Sequence, residues 1–250
     1  MAPNGFLDTD GPVAFAHRGF AVAGGENSMA AFQAAVDLGY RFLETDVRVT
    51  ADGVALAFHD ATLDRVTDAH GRIDRLPWSA VRRARIGGTE PIPLLSDVLA
   101  TWPDVCLNLD VKSGPGVAAT AAAVRATGAL PRVCVGAFSA RRVHAVRRLL
   151  GPRLVTGLAP HEALGLRAAR GRVAAGLRGR CAQVPPRLGP VTLVDRSYLA
   201  AAHRLGVRVH VWTVNDRAEM TRLLDLGVDG VMTDRADVLR NVLRERGQWT

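Results

Sequence analysis

Glu44 and Asp46 stand one residue apart in "RFLETDVRV", and Asp110 and Lys112 share that spacing in "LNLDVK". On a β-strand, alternate side chains point to the same face. Three carboxylates turned toward one another repel unless a cation neutralises them. An all-oxygen donor set of Glu44, Asp46 and Asp110 suits a hard divalent ion, Mg²⁺ or Ca²⁺, with Mn²⁺ a further candidate. Two histidines, His17 in "AHRG" and His59 in "AFHD", flank this group in the strand order developed below. Imidazole titrates near pH 6.5, so a pair can act as base and acid in one catalytic cycle. Arg18 and Lys112 add two cations to a centre that already calls for a metal. That concentration of positive charge predicts an anionic substrate, most simply a phosphate.

Lys112 is the single lysine among 32 basic residues; the other 31 are arginine. Arginine presents a planar fork of donors, lysine a compact charge on a flexible stem. A surface that needs only positive charge accepts either. The retained lysine is therefore read with its neighbours, as a small ammonium beside Asp110.

These residues require a scaffold that brings distant strand ends together. Strand-like runs occur at 13–17, 41–49, 105–111, 132–138, 153–159, 181–184, 207–214 and 229–234. Helical patterns fall between or after them, at about 28–38, 94–102, 116–127, 139–150, 161–170, 196–205, 216–226 and 235–246. The strands are apolar on both faces, as a buried parallel sheet requires. Eight strands each followed by a helix predict an α/β fold, a (β/α)8 TIM-type barrel, with chemistry at the carboxyl ends of the strands. Those ends carry His17, Glu44, Asp46, Asp110, Lys112, Trp212 and Asp234. "VALAFH" (54–59) breaks the alternation and follows "RFLETDVRV" through "TADG", which reads as a hairpin. A turn centred between Ala51 and Asp52 pairs residues that sum to 103 and sets His59 opposite Glu44. A single domain over 1–250 is expected, with a small insertion at about 60–104 that holds one helical segment near "LPWSAVRRA". In "GGENS", Asn27 and Ser28 form a helix N-cap pair.

The stretch from His17 to Gly71 resembles the amino-terminal half of the glycerophosphodiester phosphodiesterases. It contains His17-Arg18-Gly19, Glu26-Asn27-Ser28, Glu44-Thr45-Asp46-Val47, Thr50-Ala51-Asp52-Gly53 and His59-Asp60 through Arg65. "LNLDVK", "VHVWTVN" and "GVDGVMTDR" are similar to later motifs of that family. The likeness spans most of residues 13–235 and is thin between about 139 and 200. It implies a metal held by Glu44, Asp46 and Asp110, an acid–base pair of His17 and His59, and phosphate contacts from Arg18 and Lys112. It also implies that Trp212 lines the pocket for the glycerol or alcohol group, and that Glu26 and Asn27 shape the loop beside the phosphate. Three positions depart from the family pattern: Asp110 stands where Glu is usual, "GGENS" replaces "PENT", and Ala137 replaces a frequent Ser. The implied activity is hydrolysis of glycerophosphodiesters to sn-glycerol 3-phosphate and an alcohol. The alternatives are a lysophospholipase D-like phosphodiesterase and a non-catalytic barrel that binds phosphoesters or anions. The His17/His59 pair argues against the last, because a binder needs no proton-transfer groups.

Composition narrows the setting. Hydrophobic residues are 48% and charged residues 22%, as in ordinary folded domains. No apolar run approaches the roughly 20 residues of a membrane span, and the amino terminus lacks the pattern of a secretory signal. Cys106, Cys134 and Cys181 lie in apolar runs without metal-type spacing, which predicts free thiols and a cytoplasmic, reducing compartment. The net charge is +8. Eleven arginines and one acid, Glu162, fall within 141–187. With 5% aromatic residues and no stacking platform among these arginines, nucleic acid is not an expected partner. A solvated Arg-rich face is the simplest reading, and weak contact with anionic membrane is the alternative.

Overall fold

The computed structural model describes residues 5–21, 25–168 and 177–249. The chain runs through β1 (Val13–His17), α1 (Met29–Asp37), β2 (Phe42–Val49), β3 (Ala55–Ala57), α2 (Trp78–Val81), β4 (Arg85–Ile86) and β5 (Glu90–Pro91). Next come α3 (Leu95–Thr101), β6 (Cys106–Val111), α4 (Gly114–Ala126), β7 (Val133–Gly136), α5 (Ala140–Leu150), β8 (Val155–Thr156) and α6 (Pro160–Ala168). The last part holds β9 (Cys181–Val184), β10 (Arg187–Leu188), β11 (Val191–Thr192), α7 (Arg196–Arg204), β12 (Arg208–Val211), α8 (Arg217–Leu226), β13 (Gly230–Thr233) and α9 (Ala236–Glu245).

Eight strands pair in parallel in the order β8, β7, β6, β2, β1, β13, β12, β9. A parallel bridge between Gly157 and Cys181 brings the two ends together. There Leu158 N donates to Cys181 O at 2.8 Å and Arg180 N to Thr156 O at 2.9 Å. The architecture is the expected (β/α)8 TIM-type barrel. Its strands are apolar on both faces because they serve two cores. Phe15, Phe42, Cys106, Cys134, Cys181 and Met232 face one another inside, with Phe6 packed among them. Leu43, Leu107, Leu109 and Val135 face outward against Phe32, Val98 and Val124 on the helices. Val209, Val211 and Val231 do the same against Leu199, Leu223 and Leu239.

The hairpin after β2 forms in a different register from the expected one. Val47 pairs with Ala57, Arg48 with Leu56 and Val49 with Ala55, so paired residues sum to 104. The loop holds three residues rather than two. Thr50 N donates to Val54 O, and Gly53 takes a φ of 87°, as three-residue hairpin loops with a left-handed glycine do. The ladder runs to Ala57, Phe58 N still donates to Asp46 O at 2.9 Å, and His59 lies beyond this pairing instead of opposite Glu44.

Leu56, Phe58, Leu63, Ile73, Val81, Ile86 and Ile92 form a small core of their own within and beside the insertion. Helix α3 instead joins the barrel's outer core through Leu95, Val98 and Leu99, so the stretch expected at 60–104 divides there. Several strands are shorter than their sequence runs. The 153–159 run contributes only Val155–Thr156 to β8, because Arg153 and Leu154 belong to the turn that follows α5 and Gly157 continues only as an isolated bridge to Cys181. The β10–β11 hairpin, which paired Leu188 and Val191 close, was too short to show periodicity. Of the helix expected at 161–170, positions 169 and 170 lie outside the described residues. Among the described residues no helix is long and apolar enough to cross a membrane.

Candidate active site

At the carboxyl end of β1 the chain turns sharply. Arg18 and Asn27 adopt φ values of 57° and 59°, and Gly19 one of 84°. A Cβ on Gly19 would lie 2.6 Å from the Ala31 carbonyl carbon, so glycine is required where the turn meets α1. Ser28 caps that helix by accepting from Ala31 N at 3.1 Å. The turn delivers two side chains to the mouth. His17 Nδ1 lies 2.6 Å from Asp234 Oδ1, and its Nε2 lies 3.7 Å from Glu44 Oε2. Burial alone would lower the His17 pKa, but the Glu44 charge and the Asp234 hydrogen bond outweigh it and hold the imidazole above its ordinary value.

Strands β2 and β6 present the carboxylates side by side, with Glu44 in register with Asn108 and Asp46 with Asp110. Lys112 Nζ bridges Asp46 Oδ1 at 2.8 Å and Asp110 Oδ2 at 2.6 Å. Arg18 Nε faces Asp46 Oδ2 at 3.0 Å, and Asn27 Nδ2 donates to the same oxygen at 3.2 Å. Burial favours a neutral Asp46, but Lys112 and Arg18 prevail and keep it below the usual carboxylate range. Glu44 is not compensated in this way. Burial, with the Asp46 and Asp110 charges beside it, pushes its pKa up to about 8. Burial would also lower the Lys112 pKa, and the same two aspartates raise it instead. Asp110 Oδ1 is buried and has no hydrogen-bond partner.

His59 arrives from the hairpin side. Its Nδ1 lies 2.6 Å from Asp60 Oδ1, and its carbonyl accepts from Arg48 Nε at 2.8 Å. Arg65 joins Asp60 to Glu26, at 2.6 Å to each, and Glu26 accepts from Arg18 at 2.9 Å. Hydrogen bonds from Arg65 bring the Asp60 pKa down to about 2. A continuous chain of charge thus connects His59 to Arg18.

Between the two histidines opens a cavity of about 440 Å³. His17, Arg18, Glu44, Asp46, His59, Asp110 and Lys112 line one side. Phe138, Leu158, Leu164, Leu188, Val184 and Trp212 line the other. Trp212 and Phe138 meet edge to face with centroids 5.6 Å apart. On the floor, Gln183 donates to Asn108 at 2.6 Å. Gly136 and Gly157 leave room for Gln183, since a Cβ on either would approach its Oε1 to 3.1 or 3.3 Å.

The family profile described as the Glycerophosphoryl diester phosphodiesterase family matches residues 17–238. The chain belongs to that family. A relative from Mycobacterium tuberculosis named probable glycerophosphodiester phosphodiesterase 2 is 40% identical over 98% of this chain and 95% of its own length. A lysophospholipase D of Rattus norvegicus is 25% identical over 91% of this chain and 84% of its own length. An Oleispira antarctica phosphodiesterase, solved with the product sn-glycerol-3-phosphate, superimposes with a TM-score of 0.78 at 20% identity, over 94% of this chain and 97% of that one.

The structure brings together eight of the ten residues singled out from the sequence. His17, Arg18, Glu44, Asp46, His59, Asp110, Lys112 and Trp212 all line the cavity of this phosphodiesterase-family barrel, and Glu26 and Asn27 do not. Asn27 is buried behind Asp46, accepts from Thr45 at 2.7 Å and holds the carboxylate from the rear. Glu26 clamps Arg18 and Arg65. Sequence reasoning missed Asp60 as a partner of His59, Asp234 as a partner of His17, and the apolar wall. The "HD" dipeptide was a usable signal for Asp60. Asp234 offered only its place at a strand end.

For a divalent cation, the donor chemistry fits. Glu44, Asp46 and Asp110 lie on the neighbouring strands β2 and β6. Burial and the two aspartates outweigh His17 and Arg18 and hold the Glu44 pKa up at about 8, and Asp110 retains a buried oxygen without a partner. Lys112 and Arg18 occupy part of the coordination space on Asp46 and Asp110. Among the described residues no three Asp, Glu, His or Cys side chains are drawn together at metal-binding geometry. The fit therefore lies in the chemistry of the donor set and in the unpartnered Asp110 oxygen.

Proposed function

We propose that this chain is a metal-dependent glycerophosphodiester phosphodiesterase that releases sn-glycerol 3-phosphate and an alcohol, with His17 and His59 as its acid–base pair. The observation that carries the reading is that both histidines line one cavity with the carboxylate cluster, each held through Nδ1 by its own aspartate. A carboxylate on Nδ1 orients the ring and leaves Nε2 as the proton-transfer atom. Arg18 and Lys112 supply the positive charge for the non-bridging phosphate oxygens. A divalent cation held by Glu44, Asp46 and Asp110 would add Lewis-acid stabilisation of those oxygens.

One histidine takes the proton from the attacking hydroxyl, and the other protonates the leaving alcohol as the P–O bond breaks. The substrate's own 2-hydroxyl is the proposed nucleophile, since an intramolecular attack has a high effective molarity. The resulting cyclic phosphate is then opened by water with the two histidines in exchanged roles. The floor pair Asn108–Gln183 and the ring of Trp212 bound the space for the glycerol or alcohol group. Paired, oriented histidines support turnover over passive anion binding.

The apolar wall supports a second substrate class, lysophospholipids, and the rat relative carries the name of that activity. Three free, buried cysteines support a cytoplasmic, reducing compartment.

The test is product analysis with glycerophosphocholine, a lysophospholipid and a 2-deoxy analogue, each with Mg²⁺, Ca²⁺ or Mn²⁺. The expected products are sn-glycerol 3-phosphate and choline, with a transient cyclic phosphate and a very slow deoxy analogue. Rapid hydrolysis of the deoxy analogue would show that water attacks directly. Failure to cleave any diester with any of the metals would remove the assignment.

A further inference from the structure

Among the described residues, five large hydrophobic side chains are exposed: Phe138, Leu149, Leu164, Leu188 and Val191. Four of them share one rim. Phe138 (62% exposed), Leu164 (47%) and Leu188 (44%) border the active-site cavity. Val191 (55%) is the cross-strand partner of Leu188 in the β10–β11 hairpin. They come from the end of β7, from α6 and from both strands of that hairpin, so no single amphipathic element accounts for the clustering. Exposed apolar residues scattered singly need no explanation, whereas a cluster at a cavity mouth marks an interaction surface. Arg187, next to Leu188 on the hairpin, is exposed, and so is Arg141, three residues beyond Phe138 in sequence. Within 139–194 the sequence has one acid, Glu162, and its carboxylate accepts from Ala159 N at 2.7 Å.

We propose that the barrel mouth docks on an anionic lipid surface, with Phe138, Leu164, Leu188 and Val191 seated in the interface and Arg141 and Arg187 against the headgroups. Exposed apolar tips with arginines close by in sequence match an interface in which hydrocarbon lies beneath anionic phosphate. A second copy of this chain is a poorer occupant. It carries the same arginines and the same net charge of +8, so two rims face to face would set like charges together. A single acyl chain lying in the cavity would cover Phe138, Leu164 and Leu188 but not Val191, which lies outside the cavity lining. In this arrangement the active site opens toward the lipid. The surface stands independently of the catalytic reading, because binding is measured without turnover.

The experiment is co-sedimentation of the whole chain with vesicles of phosphatidylglycerol and phosphatidylcholine in equal amounts, and with phosphatidylcholine alone. The chain should sediment with the mixed vesicles, bind phosphatidylcholine alone more weakly, and lose affinity as salt rises. Val191→Asp should weaken binding to both kinds of vesicle, on the order of 10-fold. Arg187→Glu should weaken binding to the mixed vesicles alone, by about 5-fold or more. Both variants should hydrolyse soluble glycerophosphocholine as the parent does, since neither residue lines the cavity. Absence of sedimentation with mixed vesicles, or unchanged binding by both variants, would overturn the proposal. So would a lipid-free dimer that Val191→Asp dissolves, because the rim would then belong to a second copy.

Discussion

His17 Nδ1 lies 2.6 Å from Asp234 Oδ1, across the seam where the first barrel strand meets the last. Asp234 is itself held by Asn215 Nδ2 at 2.8 Å, and Asn215 Oδ1 accepts from the Asp234 amide at 2.9 Å. The aspartate therefore has a fixed direction, and it passes that direction to the imidazole. Asp234→Asn keeps the size but removes the charge that favours a protonated ring. It should lower kcat by on the order of 10-fold or more with an unchanged melting temperature, as part of the ~10²–10⁴-fold that a positioned acid–base group contributes. An unchanged kcat would mean that His17 needs no orienting partner.

His17→Ala and His59→Ala should each reduce kcat by ~10²–10⁴-fold while the circular dichroism spectrum and melting temperature stay near those of the parent. Both rings sit at the cavity rather than in the core clusters. A well-folded variant with near-normal kcat would remove that histidine from the proton-transfer pair.

Chelation followed by dialysis should abolish activity, and a divalent cation should restore it. Glu44→Gln and Asp46→Asn should raise the metal concentration needed for half-maximal rate. Asp110→Glu extends the carboxylate whose Oδ1 now lacks a partner, and it should be tolerated with a changed order of metal preference. Full activity in excess chelator, with metal content verified as negligible, would eliminate the metal's role.

Lys112→Arg should fold normally and lose about 10-fold or more in kcat/KM, the loss expected when ~1.4 kcal/mol of transition-state stabilisation goes. The ammonium fits between Asp46 and Asp110 at 2.8 and 2.6 Å and lies 5.7 Å from the Phe138 ring centroid. A planar guanidinium in that space must displace one of these groups or hold the phosphate out of line. Wild-type kinetics in this variant would show that the single lysine has no role that arginine cannot fill.

The stability of the barrel should depend on His210. Its ring is packed beside Phe15 at 4.9 Å between centroids, and neither nitrogen has a hydrogen-bond partner. Burial lowers its pKa from 6.5 to about 4. The unfolded chain therefore takes up this proton first as pH falls. The associated stability is fully present above about pH 6.5 and is lost progressively toward pH 4. At about 1.4 kcal/mol per pH unit, the total is about 3 kcal/mol, of which about 2 kcal/mol is gone at pH 5. Urea titrations of the parent and of His210→Leu at pH 8 and pH 5 should differ by that amount in their pH dependence. Parallel stability curves would show that His210 is not buried in its neutral form.

Two features were legible in the chain because they depend on local periodicity. The apolar strand runs and the helical patterns between them specify a parallel barrel, since a strand covered on both faces leaves no polar side. The i, i+2 spacings of Glu44 with Asp46 and of Asp110 with Lys112 decide that each pair shares a face, wherever the strands come to lie.

The tertiary structure decided what those faces meet. A three-residue loop in place of a two-residue turn moved the β2–β3 register by one, and in a period-2 element such a slip changes every cross-strand partner. His17 and Asp234 are 217 residues apart in sequence, so their contact depends on barrel closure and leaves no local trace. The same holds for Gln183 against Asn108, 75 residues apart. The apolar rim is assembled from three separate segments whose own patterns are too short to read. Local spacing sets the direction of a side chain, but the distance between two side chains is set by strand order, loop length and closure, which arise only when the whole chain packs.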